Sequence, residues 1–444
     1  MTHQTDERIR PLRSARRRRT AAVLAAASIL TPALAARAEV AIAESGGWRL
    51  STDGRVGNFL SVMRGTGRPS GQPPYLGLDE EITPDNKIAS ARLRSGFIES
   101  VIGFELNREL GDEVTAKARV ALWMLTASSR SASDTPAIEA REAFLEIDGP
   151  WGGFLAGRAM SLFSRGAILL DYDLEHQYGL GSPCTTRTVQ GGACGHAGFG
   201  LLFPGFHSGL VYNTPKAGGL QLSAGIYDPI ELPTNDYRRT PYPRAEAEAT
   251  LQAGRVLRAF VGGLWQRLSR NSMGATDPNT GVAAVLRQDV DAMGVSYGLG
   301  LNLGPLSLGG AGYYGQGLGY YVPLEDNPIG VITSTGALRT EDGYYGAAAL
   351  RFSDTRLAAG VGVSRGKKGT GDPLETSNVI IMKQQLGISA GIYQTIRKTV
   401  ILALEYFGSQ FTWYETGQTV GTDVVVTRPQ QSVNFVNVGA TLIW

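Results

Sequence analysis

Strict alternation, broken at intervals that are short and long by turns, constrains this chain more than any other feature. Trp48, Leu50, Thr52, Val56, Leu60 and Val62 share one parity, and Arg49, Asp53 and Arg55 the other. Further on, Val114, Ala116, Ala118, Val120, Leu122 and Met124 oppose Thr115, Lys117 and Arg119. A strand turns successive side chains to opposite faces, so each run has an apolar face and a polar one. Similar runs recur to the end: Met293 to Leu303, Leu386 to Ile392, Val400 to Tyr406, and Val436 to Trp444. Gly111-Asp112, Gly149-Pro150, Gly304-Pro305, Ser353-Asp354 and Arg397-Lys398 join runs tightly. The connections near 65–87, 127–136, 270–286, 322–341, 366–378 and 415–429 are long. Short turns at one rim and long loops at the other are what a membrane-spanning antiparallel barrel needs. A soluble sandwich or propeller explains the alternation but not the alternating connection lengths. The expected fold is therefore all-β, a transmembrane antiparallel β-barrel of about 16 strands, with about 18 as the other count.

The N-terminus gives the compartment. Arg8, Arg10, Arg13 and Arg16 to Arg19 precede a mostly apolar stretch from Ala21 to Leu34, and small residues follow at Ala36-Arg37-Ala38. This is the order of a secretory signal peptide. The apolar run falls short of the roughly 20 residues of a spanning helix. Cleavage is expected after Ala38, with Ala35 as the alternative. That leaves 1–38 as signal peptide and 39–444 as the mature chain. Arg16 to Arg19 also invite a twin-arginine reading, but Thr20-Ala21-Ala22 continues that motif poorly, so the unfolded-chain route is preferred. The leader holds eight arginines against Asp6 and Glu7, so its removal turns the formal charge of +2 negative. Nothing in that balance points to nucleic acid. The remaining length is long for one soluble core but ordinary for one large barrel.

One stretch stands apart. From Ser161 to His207 neither alternation nor helical periodicity is sustained, and the stretch holds Cys184, Cys194, His176, His196 and His207. An irregular segment this long within one domain is normally functional or a sign that its elements are misassigned. Nine residues separate the cysteines. In an exported chain that spacing suggests a disulfide, contributing roughly 2–3 kcal/mol by loop closure. A metal site using the histidines is the competing reading, but short metal-ligand spacing is lacking. Asp171, Asp173 and Glu175 form an acidic group that is either a charged rim or an ordinary solvated loop. Arginines facing lipid near the midplane would cost roughly 2–4 kcal/mol each. Arg55, Arg94, Arg119, Arg141 and Arg158 are accordingly expected on the inner wall.

Three motif matches are read as incidental. Gly310 to Gly315 fits the dinucleotide fingerprint but lies in a strand with no following helix. Gly294 to Gly298 and Gly387 to Gly391 fit the nucleophile elbow but keep a two-residue period, and the histidines are expected to lie away from their serines. No enzyme and no cofactor is expected.

Trp151-Gly152-Gly153 through Gly157-Arg158, then the long insertion, then Val211 to Pro215, Gly219 to Leu222 and a terminal aromatic at Trp444 follow one another in order. In that order and spacing the mature chain resembles the general diffusion porins of Gram-negative outer membranes. The resemblance implies a sixteen-strand barrel, a homotrimer, and a third loop, here 161–207, folded inward as a constriction. It further implies acidic groups on that loop (Asp171, Asp173, Glu175) facing basic groups on the wall. The function it implies is passive diffusion of small hydrophilic solutes and ions. A substrate-selective channel of similar build is the alternative, and a barrel enzyme or adhesion protein a more distant one. Three features depart from the family: a terminal Trp444 where phenylalanine is commoner, the lack of a recognisable family tetrapeptide at the loop tip, and the two cysteines in the loop.

Overall fold

A computed structural model describes residues 39–67, 85–124, 138–176, 179, 181, 183–184, 192–231, 237–238, 240–276, 283–324, 337–369, 381–420, 423–427 and 429–444. The expected leader, 1–38, and parts of several long connections lie outside the described residues. One closed antiparallel sheet accounts for nearly all of the rest, and its strand positions number sixteen. They are β1 (Trp48–Thr66), β2 (Lys87–Arg94 and Ser100–Gly111), β3 (Val114–Met124), β4 (Ile138–Gly149), β5 (Gly152–Met160), β6 (Phe206–Asn213), β7 (Leu220–Tyr227) and β8 (Arg244–Ala253). Then come β9 (Leu257–Thr276), β10 (Ala283–Leu303), β11 (Leu306–Gln316), β12 (Thr340–Phe352), β13 (Thr355–Gly366), β14 (Met382–Ile396), β15 (Val400–Trp413) and β16 (Gln430–Ile443). Each pairs with its sequence neighbour, and β16 closes on β1 with Ile443 opposite Arg55 and Val433 opposite Gly65. Closure satisfies every ladder and leaves no edge, which a strand protein needs in lipid.

The two parities behave as the alternation requires. Val56, Leu60 and Val62 of β1, Leu299 and Leu303 of β10, and Leu402 and Leu404 of β15 are exposed on the outer face. Their neighbours Ser61, Ser296, Glu405 and Asn437 are buried on the inner one. The tight turns use left-handed backbone at both central residues, Asp112 and Glu113 in one case and Arg397 and Lys398 in another. That geometry matches the twist of flanking antiparallel strands. At the end of the chain Trp444 exchanges both backbone bonds with Gly54, at 3.0 and 3.1 Å. A side chain at Gly54 would strike the Trp444 indole, so glycine there makes room for the terminal aromatic.

Four details go beyond the sequence reading. Residues 95–99 leave the ladder, and the Phe97 amide donates instead to the Gly179 carbonyl at 2.8 Å. Strands β9 and β10 run on through the expected 270–286 loop, pairing as far as Thr276 and Ala283. A further segment, Val40–Ser45, pairs with the start of β1 beyond the end of β16. Within 415–429, Thr416–Val420 and Asp423–Thr427 pair as a small hairpin.

Candidate functional site

The connection from β5 to β6 is not irregular throughout. Arg165–Asp171 forms a helix, α1, continued by one π-helical turn, Tyr172–His176. Seven residues are too few for the eye to find a 3.6 period. Its helical spacing is nevertheless functional: Asp171 and Glu175, four apart, fall on one face. Both are buried, and both face the wall. The Tyr345 hydroxyl of β12 lies between them, 3.0 Å from Asp171 Oδ1 and 2.8 Å from Glu175 Oε2. Asp171 also accepts the His196 backbone N–H at 2.9 Å. Glu175 accepts from the Ser389 hydroxyl of β14. With its hydrogen so engaged, Ser389 is placed to accept from His196 Nε2, 2.7 Å away.

The segment bonds to inner-face residues all round the sheet. Phe163 N–H donates to Glu246 of β8 at 2.8 Å, and Ser164 N–H to Ser296 of β10 at 3.1 Å. Arg165 pairs with Glu248. Arg55 of β1 donates to the Tyr172 hydroxyl and stands 5.5 Å from that ring's centre. Gly181 N–H donates to Glu405 of β15 at 3.3 Å. Gly200 N–H donates to Ser364 of β13 at 2.9 Å. Apolar packing adds to this: Phe163 and Leu202 form one cluster with Leu264, Tyr313 and Leu318. Phe203 stacks on Tyr321 from the connection after β11, with centres 6.1 Å apart.

Asp173 is differently placed. It is the one member of the acidic trio with a partly open side chain, 30% exposed, and Arg258 Nη1 of β9 reaches its Oδ2 at 3.2 Å. Arg356 of β13 donates to its carbonyl. Burial pushes the Asp173 carboxyl up to about 6, against the pull of Arg258 and Arg356. Its charge is therefore lost as the pH falls through about 6, whereas an ordinary aspartate keeps it to ~3.9. The sign for docking follows: the raised value favours the docked, protonated form in acid rather than weakening it. Conductance recorded from pH 7.5 to 5 should show a step near 6 that Asp173→Asn abolishes. A step that survives in the variant would assign it to another group.

Of the arginines expected on the wall, Arg55, Arg94, Arg119 and Arg141 are buried. Arg119 and Arg141 lie among carboxylates: Arg119 Nη1 is 2.7 Å from Asp53, and Arg141 Nη2 is 2.9 Å from Glu99. Arg158 is half-exposed, with Nη2 3.5 Å from Glu139. The cysteines lie at a two-residue ladder in which Pro183 opposes Ala193 and Cys184 opposes Gly192. Among the described residues no group of histidine, cysteine and carboxylate side chains could hold a metal ion. The expectation that the histidines lie away from the elbow-like serines fails for Ser389. It sits in an extended strand all the same, not at a strand-to-helix turn. Tyr345, Arg258 and Ser389 were missed because inner-face parity alone does not say which residues a loop will reach.

Several solved outer-membrane proteins share this architecture. OmpT of Vibrio cholerae matches with a TM-score of 0.53 at 17% identity, covering 91% of this chain and 100% of that one. The outer membrane channel DcaP of Acinetobacter baumannii gives 0.59 at 13% identity, covering 90% and 99%. An anion-selective porin from Comamonas acidovorans gives 0.57 at 12%, covering 89% and 100%. At these identities the likeness speaks for the fold. No curated protein sequence matched the chain. A profile of the Gram-negative porin family does match, over residues 21–399. A match over that much of a closed sixteen-strand barrel means that the chain belongs to the Gram-negative porins, outer-membrane channels for the passive diffusion of solutes.

Proposed function

We propose that the β5–β6 connection constricts this channel and that its acidic trio divides the work. Asp171 and Glu175 dock the segment on the wall through Tyr345, Ser389 and His196. Asp173, half-open and held by Arg258, faces the solute path. The carrying observation is the direction of the segment's bonds: they reach inner-face residues on β1, β8, β10, β12, β13, β14 and β15. A water-filled passage remains beside it for small hydrophilic solutes and ions. Liposomes holding the purified protein should swell in neutral sugars at rates that fall smoothly with solute size. Saturable swelling for one sugar or acid would favour the substrate-selective reading instead, and no swelling would count against any channel.

Maturation follows the same reading. Cleavage after Ala38 leaves Glu39, which accepts from Ser51 just ahead of the paired segment Val40–Ser45. The mature chain then works as a homotrimer in the outer membrane, in contact with its lipid. OmpT of Vibrio cholerae, which shares the fold, is known in a trimer form. The channel has no catalytic residue and no cofactor. Cys184 and Cys194 form a disulfide that fixes the loop between them. This is supported by the Cys184–Gly192 pairing, by the full burial of Cys194, and by the lack of a free cysteine among the described residues. The closure would contribute roughly 2–3 kcal/mol against the unfolded chain, and its structural effect is on the loop. Cys194→Ser should therefore still give a folded barrel and broaden its single-channel conductance distribution. Alkylation of both thiols without prior reduction would rule the disulfide out.

A further inference from the structure

On the inner face of β2–β4 the partly exposed charge is mostly carboxylate, with Arg119 and Arg141 buried beneath it and Lys117, 18% exposed, paired with Glu146. Arg119 is shared by three acids: Nη1 lies 2.7 Å from Asp53 and 3.8 Å from Glu105, and Nε 3.4 Å from Glu142. Arg141 is shared by two, with Nη2 2.9 Å from Glu99 and Nε 2.9 Å from Glu139. The arginine side chains are 3% and 9% exposed, whereas Glu105, Glu139 and Glu142 are 26%, 31% and 14% exposed. Arg158 of β5, 43% exposed, also reaches Glu139 at 3.5 Å, so three cations stand among five acids and carboxylate is in excess where water reaches. Across the strands the register puts Glu105 directly opposite Arg119 and Trp123 directly opposite Glu139. In that register Glu142 stands level with Ala121, and a register shift at Arg141 brings both glutamates of β4 to the inner face, so the carboxylates follow one another along the strand direction.

We infer that Glu105, Glu139 and Glu142 are the selectivity-determining groups of the channel, forming a track for small cations, inorganic or organic ammonium, along this wall. The polarity is the reverse of an acidic loop facing a basic wall. The buried arginines hold the carboxylates in place and partly neutralise them, and the surplus negative charge is left where solutes pass. Charge rings and clusters of this kind set which ion sign enters a pore. In a cleft with low-dielectric walls such a field raises the local concentration of counter-ions. The inference rests on the channel reading above and names the solute class it favours.

The test is reversal potential of the purified full barrel in a planar bilayer under a steep KCl gradient. Wild-type protein should reverse on the potassium side. Glu105→Gln, Glu139→Gln and Glu142→Gln together should lower the potassium-to-chloride permeability ratio several-fold with conductance retained. Glu139→Gln alone should move it in the same direction and less far. A conducting triple variant with an unmoved reversal potential overturns the inference. So does anion selectivity in the wild type, a result that needs no variant to fold. Absence of any wild-type conductance would instead overturn the channel reading, and this inference with it.

Discussion

Replacing Gly362 with leucine should lift the inward segment off the wall and raise single-channel conductance. Gly362 of β13 lies directly opposite Gly387 of β14, with Gly343 of β12 one inner-face step away opposite Ser364, and the three form the seat of Phe199 and Gly200. A Cβ at Gly362 would overlap the Phe199 carbonyl oxygen, which is backbone and cannot swing aside. Overpacking of this kind costs about 1–3 kcal/mol when the surroundings can adjust. Here the barrel wall is held by ladders on both sides, so the loop is the part that moves. The outer face keeps Val361 exposed to lipid, and the barrel itself should resist heat and detergent as before. Unchanged conductance in a folded Gly362→Leu barrel would show that the segment does not limit flow.

Tyr345→Phe should have the second large effect, on current noise rather than mean current. Its hydroxyl is the donor that lies between two buried carboxylates, Asp171 and Glu175. Removing it leaves buried acceptors short of a partner, at about 1–3 kcal/mol and more for charged ones. Ser389 and the His196 amide still hold the loop at its other contacts, so the docked state persists but exchanges more often. Rapid flicker and faster proteolysis near α1 are the expected observations. Tyr344→Phe is the matched control. Tyr344 is 45% exposed on the lipid side, one residue away in sequence, and a surface change there is worth within ~0.5 kcal/mol. Equal noise in the two variants would remove Tyr345 from the latch.

The barrel was legible because its rule is local. Each strand states its own two faces, and closure follows from turn lengths without knowledge of distant contacts. Strand ends were less legible, since β9 and β10 stay paired past the point where apolar alternation stops. The site was legible only in outline. Asp171, Asp173 and Glu175 could be picked out as a group, yet nothing local said that two would be buried against the wall and one left open. That division depends on α1, a helix too short to announce itself, and on Tyr345 and Ser389, which are distant in sequence. The wall arginines were visible by parity. Their carboxylate neighbours Glu99, Glu105, Glu139 and Glu142 carried the same signal, and only the distances reveal which sign faces water.

A closed barrel with a docked inward segment should conduct. Purified protein added to a planar bilayer should give stable, stepwise conductance increments of uniform size, ohmic at low voltage and larger in Gly362→Leu. A folded, heat-resistant barrel that inserts and carries no current would contradict that expectation.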